Sequence, residues 1–212
     1  MNFQSLLDFD KNLLISLQSV IPAQYSSIVT ILAESIVIWC AIFLVGTWLY
    51  GTFQKNDAYK KQALQVFGLI VSVFVIYTIV NLCVPQWREH PHSFLNGANI
   101  TPLIPHPTDN SFPSGHALFS GAFIVAVFTY TKNYFFVTLT ILLALITVCC
   151  RVLGGVHYPG DIVAGLFFGI IGALIFRPFV EKIVEKIPKA TILMDLLPVV
   201  LVGKAKSHDA LK

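Results

Sequence analysis

Charge is scarce in this sequence. Acidic and basic residues make up 12% of the chain, against about 25% in a typical soluble domain, while apolar residues reach 56%. That shortage excludes an ordinary water-soluble globule. A net charge of only +3 gives no electrostatic footprint for nucleic acid. Cysteine is sparse as well. Cys40, Cys83, Cys149 and Cys150 all lie in apolar runs without C-x-x-C spacing, which excludes a disulfide scaffold or redox pair and leaves small apolar side chains. His90, His92 and His106 lack the H-x3-5-H spacing or acidic neighbours of a metal site, so neither metal nor any other cofactor is expected. No basic segment precedes an apolar stretch at the start, where Asp8 and Asp10 stand instead, so no cleavable signal peptide is expected.

Long apolar runs are plentiful. A membrane-spanning helix needs about 20 mostly apolar residues. Five segments qualify or come close: 27–50, 64–84, 113–131, 134–150 and 159–176. The expected fold is therefore an all-α polytopic membrane bundle of about five spans. With 212 residues it should form a single domain, with its core at 27–178 and a C-terminal cytoplasmic tail at 179–212. Residues 3–20 place Leu6, Leu7, Leu13, Leu14 and Leu17 near one helical face, the pattern of a helix lying on the membrane surface. The stretch 191–203 is apolar, but Asp195 and Pro198 interrupt it, and it is not counted as a span.

Basic residues favour the cytoplasmic side of short loops. Threading the loops alternately through five spans divides the 14 basic residues unevenly. Lys55, Lys60, Lys61, Lys132, Arg177, Lys182, Lys186, Lys189, Lys204, Lys206 and Lys212 fall on one side. Lys11, Arg88 and Arg151 fall on the other. That asymmetry puts the C-terminus inside, and the long loop 85–112 outside with His90, His92, His106, Asp109 and Asn110. One carboxylate interrupts the first span: Glu34, about ten residues from the outer end at Tyr25. An ionisable group within a span is costly and commonly functional, yet here a structural reading is equally open.

Two motifs meet at the same outer end. Pro113-Ser114-Gly115-His116 opens the third span. Proline suits a first helical turn, glycine permits close approach of a ligand to the backbone, and the helix N-terminus offers unpaired amides to a phosphate. His116 could protonate a departing oxygen. The second motif is Arg151, then His157 six residues on, then Asp161. His157 and Asp161 are four apart, so they stack on one helical face if Pro159 opens a helix. A carboxylate holding one imidazole nitrogen leaves the other free to attack phosphorus. Arg151 supplies a fixed fork of donors for phosphoryl oxygens. From average residue usage, the string P-S-G-H alone arises at a given position with odds of roughly 10⁻⁵ to 10⁻⁶, so its company with the second motif is a strong signal.

With these motifs the chain resembles the type-2 phosphatidic acid phosphatase superfamily, which includes bacterial undecaprenyl-diphosphatases and phosphatidylglycerophosphatases. The likeness covers about 64–176 in order and spacing. It implies a helical bundle without a metal requirement and a phosphohistidine on His157. It further implies a general acid at His116 and phosphate binding through Ser114, Gly115 and Arg151. One family motif departs. Aligned on Phe94, the lysine and Arg-Pro of the first motif are replaced by Pro85 and by His92-Ser93, and Arg88 with His92 are the candidate substitutes. The approach Pro105-His106-Pro107-Thr108-Asp109-Asn110-Ser111-Phe112 is similar to that of undecaprenyl-diphosphatases, which often carry aspartate where this chain has Gly115.

The expected activity is hydrolysis of a lipid phosphate or diphosphate, undecaprenyl diphosphate first. Phosphatidic acid, phosphatidylglycerophosphate and lipid A phosphates are rivals. A lipid phosphotransferase and a non-catalytic lipid-binding or transport protein are the readings from other classes. The expected partners are the lipid substrate and the bilayer, in a bacterial cytoplasmic membrane with the site on its outer face.

Overall fold

The structure, a computed structural model, describes residues 2–18, 20–83, 89–105 and 110–186. Arg88, His106, Asp109 and the apolar stretch 191–203 lie outside the described residues. Eight α-helices follow in order among those residues, with no strand. They are α1 (Phe3–Gln18), α2 (Ser26–Ala33), α3 (Ser35–Phe53), α4 (Asp57–Cys83), α5 (Pro91–Gly97), α6 (Gly115–Thr131), α7 (Tyr134–Leu153) and α8 (Pro159–Glu185). A 3-10 turn, Ala23–Tyr25, leads into α2.

Each expected span falls on helix. Four stretches are long and apolar enough to cross a membrane: Ala23–Phe53, Asp57–Cys83, Tyr134–Leu153 and Pro159–Glu185. Their outer faces carry large apolar side chains in the open, among them Ile38, Ile42, Phe67, Val71, Val163 and Phe167. Such surface would cost about 25 cal/mol per Å² in water and nothing comparable in lipid. The chain is an integral membrane protein built as a helical bundle.

The third span, α6, is shorter, with 17 residues, and so runs about 26 Å. It sits at the centre of the bundle, and Ala117, Leu118, Gly121, Ala122, Phe123, Ala126 and Val127 along it are all buried. Glycine makes that position possible. A Cβ at Gly165 of α8 would lie 2.6 Å from the Ser114 carbonyl oxygen and 2.8 Å from Ala117 Cβ. Small residues let membrane helices approach backbone to backbone. That contact joins the N-terminal ends of α6 and α8, where the Ser114 amide donates to the Asp161 carbonyl at 3.2 Å.

Two expectations need correction. The first span is not one continuous helix but breaks at Glu34, whose carbonyl accepts from Val37 while its amide donates to Ile31, the tighter three-residue pattern. Thr147 of α7 stabilises the break, since its Oγ1 accepts from the Ile36 amide at 3.1 Å and lies 3.0 Å from Ser35 Oγ. Second, α8 continues nine residues beyond 176, through Pro178 to Glu185. Burial of Val180 and Val184 against the core and an Arg177–Glu181 pair at 2.8 Å support the extension. The loop between α4 and α6 also holds a short helix, α5, capped by the His90 ring.

Candidate active site

At one end of the bundle the α2–α3 break, the start of α6, the end of α7 and the start of α8 converge. Arg151 lies in the last turn of α7, where its chain is buried. Gly154 and Gly155 then turn the backbone, Gly155 with φ of +77°, a conformation that favours glycine. His157 follows, and α8 begins at Pro159.

His157 is almost wholly enclosed, with 2% exposure. Its Nδ1 lies 2.8 Å from the Ser111 carbonyl oxygen. A carbonyl only accepts, so Nδ1 carries the hydrogen and Nε2 keeps its lone pair. That Nε2 faces Arg151 Nη2 at 3.5 Å. Asp161 stands differently from the spacing argument. Its Oδ2 is 3.8 Å from His157 Nδ1, beyond hydrogen-bond reach, and accepts instead from the Tyr158 amide at 2.9 Å. The tautomer is set by a backbone carbonyl, and the fully buried carboxylate caps α8 while placing a negative charge beside the imidazole.

His116 occupies the second position of α6, and its Nε2 lies 2.9 Å from Glu34 Oε2. A carboxylate only accepts, so His116 presents an Nε2–H. The other oxygen, Oε1, accepts from Arg151 Nη1 at 3.4 Å. Glu34 thus bridges the imidazole and guanidinium that the motifs single out. Ser114, fully buried, caps α6 by accepting from the Ala117 amide at 3.4 Å, which leaves its hydroxyl hydrogen available. Gly115 is the first residue of that helix, and a Cβ there would meet the Tyr77 ring at 3.4 Å.

His92 lies on α5 and is buried. Its Nε2 pairs with the Ile104 carbonyl at 2.8 Å, and the Ile104 amide donates to the Gly154 carbonyl at 3.0 Å. The ring therefore ties the loop between α4 and α6 to the α7–α8 turn. Among the described residues, no group of three His, Cys, Asp or Glu side chains is arranged to hold a metal ion.

Two contributors were not read from the sequence. One is the Ser111 carbonyl, a backbone acceptor that residue identity does not reveal. The other is α1. The leucine stripe predicts a surface helix, but the docked stripe is Asp10, Leu14 and Gln18, spaced four apart. Leu14 is fully buried, Gln18 donates to the Val152 carbonyl at 2.8 Å, and Asp10 Oδ1 accepts from the Gly160 amide at 2.8 Å. Asp10 is therefore a second carboxylate at the N-terminus of α8, where the helix dipole favours negative charge. A polar-apolar-polar spacing of four was the available signal. Asp10→Asn is expected to lower the melting temperature by a few degrees, since a helix-end charge of this kind contributes about 1 kcal/mol. Thermal unfolding of the purified protein and variant checks this.

The family profile described as PAP2 superfamily matches residues 79–185. Among known proteins, the bacitracin transport permease protein BcrC of Bacillus licheniformis is 32% identical over 149 residues, covering 69% of this chain and 68% of that protein. The undecaprenyl-diphosphatase BcrC of Bacillus subtilis is 28% identical, covering 75% and 80%. The putative undecaprenyl-diphosphatase YbjG of Escherichia coli is 29% identical, covering 70% of each. No solved structure matches.

Proposed function

From the premise that this chain belongs to the PAP2 superfamily, we propose that it is a membrane phosphatase converting undecaprenyl diphosphate to undecaprenyl phosphate through a phosphohistidine on His157. The observation that carries the reading is the His157 tautomer. Nδ1 is committed to Ser111, so the nucleophilic lone pair is on Nε2, beside the Arg151 guanidinium. Binding alone does not need such an arrangement.

In the first step His157 Nε2 attacks the terminal phosphorus. The bond to the bridging oxygen breaks, and His116, as imidazolium, gives its Nε2 proton to the departing lipid monophosphate. Arg151, the Ser114 hydroxyl and the backbone amides at the start of α6 hold the equatorial oxygens, where charge gathers. In the second step water attacks the phosphohistidine, His116 takes its proton, and the P–N bond to His157 breaks. The buried Asp161 carboxylate steadies the charge that develops on the imidazole. With Nε2 given to Ile104, His92 braces the loop, and the mechanism takes no phosphate contact from it.

Lipid presentation has a physical basis. Beside the site, between α1 and α8, runs an apolar cavity of about 670 Å³ lined by Phe3, Leu6, Leu13, Phe112, Val163 and Phe167 among others. Phe112 adjoins Ser111, so a hydrocarbon chain there would leave its phosphate near His157. The basic residues Lys55, Lys60, Lys61, Lys132, Arg177, Lys182 and Lys186 gather at the opposite end of the bundle. By the positive-inside rule the site faces outward and the C-terminus inward, in a bacterial cytoplasmic membrane.

A transport reading draws on the printed name of the Bacillus licheniformis relative. The assay that separates the two measures phosphate release by detergent-purified protein in EDTA. Its substrates are undecaprenyl diphosphate, phosphatidic acid, phosphatidylglycerophosphate and lipid A. Release is expected to persist in EDTA and to prefer undecaprenyl diphosphate by at least about tenfold in kcat/KM. Preference for another lipid would change the substrate, and release from none would favour the transport reading.

A further inference from the structure

We propose that Glu34 is an internal anion seated where the phosphoryl group binds, and that substrate must displace it. The inference rests on the reading of His116 and Arg151 as phosphate-site residues. Three observations carry it.

The carboxylate engages these two groups with one oxygen each, at 2.9 Å from His116 Nε2 and 3.4 Å from Arg151 Nη1. A tetrahedral phosphate presents pairs of oxygens much as a carboxylate does, so the two compete for the same donors. The exposures show the direction of approach. The Glu34 side chain is 45% exposed, while its partners His116 and Arg151 are 24% and 10% exposed. Glu34 lies over the donors from the open side, so rotation about its own side-chain bonds can release them. Finally, its backbone is pinned at the α2–α3 break, where Thr147 holds Ile36 and Ser35. The retreat therefore needs side-chain motion only.

The arrangement sets a threshold on charge. A phosphodiester headgroup carries one negative charge, no more than the carboxylate it would replace, and gains little by exchange. A terminal phosphate carries up to two negative charges and presents three oxygens, so it outcompetes the carboxylate. The abundant phosphodiester lipids around the protein are thereby kept off the His116–Arg151 pair, and Glu34 acts as a selectivity residue.

Calorimetric titration of the full chain in detergent with orthovanadate tests this without requiring turnover. Glu34→Gln, which removes the competing charge, is expected to bind orthovanadate about tenfold more tightly than the parent protein. Glu34→Asp keeps the charge but is one methylene shorter, and is expected to bind more tightly by a smaller factor. Glu181→Gln makes the same charge change beside Arg177 and is expected to match the parent. An unchanged Kd in Glu34→Gln would overturn the proposal, and a weaker one would make Glu34 a positioning residue instead. If Glu34→Gln shows no cooperative thermal unfolding, the Glu34→Asp value decides on the same terms. Phosphate release from undecaprenyl diphosphate by the same parent preparation separates the two ideas. Absence of release would count against the phosphatase reading, while the calorimetric shift still decides the role of Glu34.

Discussion

Replacing His157 with alanine is expected to lower kcat by roughly 10⁴-fold or more, since no other route to the covalent intermediate remains. One hydrogen bond decides the outcome. With Nδ1–H donated to Ser111, the imidazole enters the reaction in a single tautomer, and its reactive lone pair lies on Nε2. Among the described residues, no neighbouring group duplicates that position. The other candidate imidazole, His116, presents an N–H toward Glu34 and in the proposed mechanism is the acid. The His157 side chain is small and enclosed, so its removal leaves a cavity at the bundle end and not in the main apolar core. The variant should therefore unfold within a few degrees of the parent, and thermal unfolding alongside initial rates checks both points. Activity within tenfold of the parent would remove His157 from the nucleophile's role.

Arg151→Lys is expected to lower kcat/KM by about 10³-fold, although the charge is kept. Arg151 reaches two targets at once, Glu34 through Nη1 and the His157 ring through Nη2. A guanidinium can hold both directions because its donors are fixed in a plane, whereas an ammonium is one point of charge on a flexible stem. In the proposed mechanism the same fork receives two phosphoryl oxygens during transfer. Charge alone therefore recovers little, and Arg151→Ala should lie only about tenfold below Arg151→Lys. The comparison of kcat/KM for the two variants checks this. Near-parent activity in the lysine variant would show that the fork is dispensable.

The parts of this molecule that the sequence reveals are those carried by composition and local spacing. Long apolar runs at 64–84, 134–150 and 159–176 announce α4, α7 and α8, because lipid demands an uninterrupted helix. The motif residues His116, Arg151, His157 and Asp161 do come together at one bundle end, as alternate threading of the spans requires. What stayed hidden depends on partners distant in the chain. The break at Glu34 is stabilised by Thr147, about 110 residues later, and nothing near Glu34 signals it. Asp10 finds its amide 150 residues away. The orienting acceptor of His157 is a carbonyl, and every residue has one. The four-residue spacing of His157 and Asp161 gave the right neighbours but the wrong hydrogen bond. Tyr158 lies closer to that carboxylate and offers an amide at the helix start, where capping is worth about 1 kcal/mol.

The central claim is a covalent phosphoryl group on His157. Undecaprenyl diphosphate labelled in its terminal phosphate, mixed with purified protein and quenched in base after milliseconds, tests it directly. An acid-labile, base-stable label is expected on the peptide that contains His157, absent from the His157→Ala protein. Phosphate release at the full rate with no label on that peptide at any quench time would contradict it.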